Sequence, residues 1–82
     1  MVGRADLQHW RRHPANVTAQ DLMRAAEERG WVLSRVSGSH HKFRKAGFPR
    51  HLVIPVNVHA SGTKRAIIDI LRGAEMEAES ND

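Results

Sequence analysis

Residues 31–56 set two β-rich runs back to back around Ser37-Gly38-Ser39, and this limits the fold more than any other feature of the chain. Trp31, Val32, Leu33 and Val36 precede the tripeptide and His40–Arg44 follow it. A glycine flanked by serines marks a tight turn, so the two runs are predicted to pair as antiparallel strands. Side chains repeat on a strand face every second residue. His41 and Phe43 therefore share one face, while His40, Lys42 and Arg44 share the other. Phe43 belongs in the core, which leaves His41 packed beside it and His40 on the open face among cations. Lys45-Ala-Gly-Phe-Pro-Arg50 reads as a hairpin loop, and His51–Val56 as a third strand with Leu52, Ile54 and Val56 on one side.

Helices flank this strand region. Thr18 is a natural N-cap with an acidic residue, Asp21, three positions on, a capping box with Asp in place of Glu. Leu22, Ala25, Ala26 and Arg29 recur at helical spacing, and Gly30 stands where a left-handed residue ends a helix, so residues 18–29 are predicted helical. After the strands, Ser61 or Thr63 is suited to cap a helix whose apolar stripe is Ala66, Ile67, Ile70, Leu71 and Ala74. The resulting order is α-β-β-β-α, an α+β domain with two helices on one face of a three-stranded antiparallel sheet and the other face wet. Residues 1–16 read as an N-terminal extension in which Asp6–Arg12 form a short helix, Leu7 and Trp10 inward, ended by Pro14. Residues 17–73 form the domain, and 74–82 an acidic, frayed tail.

At 82 residues one small domain is expected, too thin for a deep internal active site, so any chemistry belongs on the surface. The absence of cysteine excludes disulfides and thiolate metal sites. No apolar run approaches the roughly 20 residues of a membrane span, and no signal peptide is evident, so a cytoplasmic protein is expected. Charge is placed unevenly. All 13 Lys and Arg lie in residues 1–72 against 5 of the 9 carboxylates, so this part carries 13 − 5 = +8. Between 31 and 68 there are Arg35, Lys42, Arg44, Lys45, Arg50, Lys64, Arg65 and four histidines, and no carboxylate. Such a surface attracts a polyanion, for which nucleic acid is the first candidate.

The run "NVTAQDLMRAAEERGWVLSRVSGSHHKF", followed by "LVIP" and "GTKRAIIDIL", resembles the HicA toxins, a family that includes YcfA-like proteins. The resemblance spans about residues 14–72, and its most specific part is Gly38-Ser39-His40-His41. It implies a double-stranded-RNA-binding-domain-like fold, ribonuclease activity on messenger RNA with arrest of translation, and neutralisation by a HicB antitoxin. The first histidine of the family's G-S-H motif is its catalytic one and matches His40, with Gly38, Ser39 and His41 as motif positions. The segment "VNVHAS" before Gly62 and the sequence "RGAE" from Arg72 depart from the family's usual basic linker and its small-Gly-aliphatic ending.

The chemistry is coherent with that resemblance. RNA carries its own nucleophile, the ribose 2′-hydroxyl, so cleavage needs a base for that proton and cations for the charged phosphorane. Histidine has an ordinary pKa of about 6.5 and suits the first task. Lys42 and Arg44 share its face, and Lys45, Arg50 and Lys64 are further RNA-binding candidates. His51 and His59 are weaker candidates for a second proton donor. No cofactor is called for, and no histidine spacing supports a metal. Two other functions fit the same surface: a non-catalytic RNA-binding module, and an interaction protein that only binds an antitoxin. For the first, the helix after the strands offers only Lys64, Arg65 and Arg72, and aromatics for base stacking are scarce.

Overall fold

The computed structural model describes the backbone of residues 6–80 and the side chains of residues 6–73. Its elements are α1 (Leu7–Arg12), a 3₁₀ turn (Pro14–Asn16), α2 (Ala19–Glu28), β1 (Val32–Ser37), β2 (His40–Arg44), β3 (Leu52–Pro55) and α3 (Ser61–Ser80). The strands form one antiparallel sheet in the order β1-β2-β3. The fold is thus the expected α+β, double-stranded-RNA-binding-domain-like α-β-β-β-α arrangement, preceded by a short helix.

Local chemistry sets the element boundaries. The Thr18 hydroxyl accepts from the Asp21 N–H at 3.1 Å, while the Asp21 carboxylate accepts from the Thr18 N–H at 3.0 Å. The capping box is therefore complete with Asp at its third position, and two otherwise orphaned donors are satisfied. Gly30 ends this helix at φ +91° and Gly38 carries the β1–β2 turn at φ +58°, both in the left-handed region that glycine enters without Cβ strain.

The core lies between the sheet and the helices. Leu22, Ala25 and Ala26 of α2 meet Phe43, Leu52 and Ile54 of the sheet and Ile67, Ile68 and Leu71 of α3. Pairing of His41 with Ile54 and of Phe43 with Leu52 puts His41 on this helix side, and the open side holds His40 and Lys42. At α1, Leu7 is buried and Trp10 packs against the core. Arg11 crosses to α3, with Nε 2.7 Å from the Asp69 carboxylate; that hydrogen bond holds the Asp69 carboxyl below its ordinary range.

Three expectations need correction. Val56 does not continue the third strand. The chain turns after Pro55, Val56 is exposed with its N–H on the Ser39 carbonyl at 2.8 Å, and Val58 takes the buried place instead. Helix α3 starts at Ser61, so Ser61 and Thr63 lie inside its first turn, and the Ala60 carbonyl accepts the Lys64 N–H. Its buried stripe is Lys64, Ile67, Ile68 and Leu71, with Ala66 exposed and Ile70 half-buried. The stripe is rotated because the alkyl stem of a lysine occupies a core position that hydrophobicity alone assigned elsewhere. Backbone helix continues to Ser80, into the stretch expected to fray; the side chains beyond Gly73, including Ala74, lie outside the described residues. Among the described residues no helix is long and apolar enough to cross a membrane.

The buried lysine has a task. Lys64 is 5% exposed, and its ammonium donates to the carbonyls of Pro14 at 3.1 Å and Ala15 at 3.3 Å, tying the N-terminal segment across α3. Lys64→Met keeps the length of the stem and removes both donors. It is expected to lower stability by about 1–3 kcal/mol, the range for losing a hydrogen-bonded buried group. A urea midpoint equal to the parent's would contradict this assignment.

Candidate RNA-facing site on the open sheet

The open face of the sheet is built by cross-strand pairing. Ser37 stands opposite His40, and His40 opposite Pro55. Arg35 stands opposite Lys42, and Lys42 opposite Val53. Directly opposed residues have Cβ atoms about 4.5–5.5 Å apart. Arg35, Ser37, His40, Lys42 and Val53 consequently line one shallow hollow of about 120 Å3. Such a hollow has room for a phosphate-sized group. His40 is exposed at its rim and Lys42 half-buried, so an imidazole and two cationic side chains border the same space.

Arg35 was not singled out by strand parity. Strict alternation would place it on the helix side with Leu33, which pairs with Phe43. The register shifts between Leu33 and Arg35, an irregularity that inserts Ser34 and turns Arg35 to the open side, opposite Lys42. Nothing in the tripeptide Leu33-Ser34-Arg35 signals a bulge, since no glycine stands there. The lack of carboxylates over residues 31–68 was the only hint.

The other candidates are spread over the molecule. Gly38 and Ser39 form the turn that starts β2, and the Ser39 carbonyl anchors Val56, which fixes the strand end carrying His40. His41 projects to the helix side, where it is half-buried and its Nδ1 has no hydrogen-bond partner among the described residues. Arg44 is exposed at the far end of β2. Arg50 is exposed on the β2–β3 loop, beside a separate hollow of about 570 Å3 that Trp31 and Phe48 also line. His51 and His59 are exposed and are not among the residues that line the His40 hollow.

Two of the expected phosphate contacts are engaged elsewhere. The Lys45 ammonium donates to the Arg29 carbonyl at the end of α2 and lies 5.5 Å from the centre of the Phe48 ring. A cation there complements the negative end of the helix dipole. Lys64 is the buried tie described above. With its ammonium against two carbonyls and the residue 5% exposed, Lys64 is closed off from an RNA strand. Among the described residues no group of three or more His, Asp or Glu side chains converges in a way that could hold a metal ion.

Comparison with known proteins adds one finding. The family described as HicA toxin of bacterial toxin-antitoxin matches residues 19–74, from the first residue of α2 to the middle of α3. No curated protein matches the chain. The matched segment contains all three strands, the Gly38-Ser39-His40-His41 turn and the open-face hollow, and it covers well over half of the sequence. The chain belongs to the HicA toxin family of bacterial toxin–antitoxin systems, and its partner is an antitoxin.

Proposed function

We propose that this toxin is an endoribonuclease that cuts messenger RNA without a metal and so arrests translation, that His40 is its acid–base group, and that its antitoxin is HicB-like. The observation that carries the proposal is the hollow in which His40 meets Arg35 and Lys42. In the proposed reaction His40 takes the proton of the ribose 2′-hydroxyl, and that oxygen attacks the adjacent phosphorus. The P–O5′ bond breaks, the 5′ oxygen takes a proton from water and leaves as a hydroxyl, a 2′,3′-cyclic phosphate remains, and protonated His40 returns its proton to solvent. Arg35 and Lys42 stabilise the added negative charge of the phosphorane, with arginine able to hold two phosphate oxygens at once. Arg44 and Arg50 bind flanking phosphates. The action is cytoplasmic, where messages are translated.

A purely double-stranded-RNA reader fits less well. Such domains use a helix-borne basic cluster. Here Lys64 is buried, and Arg65 Nε donates to the Arg11 carbonyl at 3.0 Å.

The test is cleavage of a message by purified chain with EDTA present, followed by end-group analysis. Cyclic phosphate and 5′-hydroxyl ends are expected, and products dependent on added divalent metal would overturn the proposal. Binding gives a second check. Neutralising Arg35, Lys42, Arg44 or Arg50 singly is expected to weaken affinity similarly across sequences and to reduce the slope of log affinity against log salt by about 0.7 for a single strand. Lys64→Met should leave that slope unchanged.

A further inference from the structure

Strand β1 is an edge that the other described residues leave bare. Among the described residues it pairs only with β2, and all six of its own residues are exposed. Three are large and apolar: Val32 at 66%, Leu33 at 44% and Val36 at 52% exposure. On the helix side, α2 does not close over this strand. A groove of about 310 Å3 runs between Met23 and Arg24 of α2 and Leu33, His41 and Phe43 of the sheet. A second hollow of about 430 Å3, also lined by Met23 and His41, continues it toward Thr18 and Val56.

The opposite edge is different. β3 has four residues and ends at Pro55, which cannot donate to a ladder, so that edge is blunted against pairing. β1 has no proline and is longer, and a free edge with an apolar side is the surface to which extended segments add as strands.

We infer that β1 is the docking edge for the antitoxin, which adds an extended segment beside it as a fourth strand of the sheet. The chemistry of that segment follows from what flanks the edge. On the helix side its immediate neighbours on β1 are Leu33 and Val36, so the segment residues set against them are apolar, while Gln20, Arg24 and Glu27 of α2 give the groove behind Leu33 a polar wall. On the open side its neighbours include Arg35, with Lys42 one strand further in, so that side is acidic. An alternation of apolar and acidic residues over about five positions meets both. A second copy of this chain is disfavoured, because edge-to-edge pairing would crowd the two open-face cation sets.

The inference deepens the proposed function. A carboxylate paired with Arg35 occupies the place assigned there to a phosphate, so strand addition would block the hollow without covering the whole sheet. It depends on the existence of the antitoxin and not on nuclease activity.

The experiment co-expresses the full chain with its cognate antitoxin and follows amide exchange in the purified complex and in the free chain. Exchange at Val32–Ser37 is expected to slow about tenfold or more on binding, with β3 unchanged. Leu33→Glu and Val36→Glu, both at exposed positions, are expected to keep the circular dichroism of the parent. They should weaken antitoxin binding roughly 30-fold or more, the effect of losing an apolar anchor. Unprotected β1 amides in the complex, or parental antitoxin affinity in both variants, would overturn the inference. So would a chain that dimerises alone through β1 in sedimentation. A parent chain that binds antitoxin through β1 yet cuts no RNA would uphold this surface while removing the nuclease proposal.

Discussion

Replacing His40 with alanine is expected to abolish toxicity on expression and to slow RNA cleavage in vitro by about 10²–10⁴-fold, the contribution of a positioned acid–base group. The fold should survive, because His40 is exposed on the open face, and such substitutions usually shift stability by only about ±0.5 kcal/mol. RNA affinity should fall little, since Arg35, Lys42, Arg44 and Arg50 remain. Antitoxin binding should also persist, because the apolar side chains of β1 are untouched. The neighbouring histidine provides the control. His41 faces the helices beside Ile54 and borders the α2 groove, away from the His40 hollow. His41→Ala should therefore act on packing and leave the cleavage step of the folded fraction near the parental rate. Equal loss of cleavage in the two variants, or parental cleavage by purified His40→Ala, would remove His40 from the reaction.

That two adjacent histidines have separate surroundings was legible in the sequence, because the period of a strand is two and Phe43 fixes which side is inward. The helix beginning at Thr18 was equally legible, since its cap, acidic partner and terminal glycine are all local signals. What escaped the sequence depends on tertiary position. Arg35 reaches the open face only through the register shift at Ser34, which is set by how β1 meets β2. Lys64 looks like a phosphate contact by charge, and becomes a core residue because two carbonyls from the 3₁₀ turn receive its ammonium. Lys45 is redirected in the same way by the exposed end of α2. Both lysines find a backbone acceptor far away in sequence, at a separation that periodicity does not register. The same tertiary facts narrow the candidate site from a diffuse basic surface to one hollow and two outlying arginines.

The largest expected loss of stability lies on the other face of the strand that carries His40. Phe43 is 2% exposed and sits between Leu33 and Leu52 in the sheet, with its ring turned to the helices. Phe43→Ala should cost about 3–5 kcal/mol, combining lost transfer energy with the cavity left behind. Small domains of this size have only about 4–12 kcal/mol in total, at roughly 0.05–0.15 kcal/mol per residue, so the variant loses from about a quarter to all of its stability and should melt far below the parent. Refilling the site with Phe43→Leu should recover much of the loss, because the apolar volume is partly restored. Phe43→Ala and His40→Ala would then be non-toxic for opposite reasons. The first should lose antitoxin binding, circular dichroism and cooperative unfolding together, whereas the second should keep all three. A Phe43→Ala chain that melts within a few degrees of the parent would show that the sheet does not depend on this ring. The placement of His40 by the packing beneath it would then need another cause.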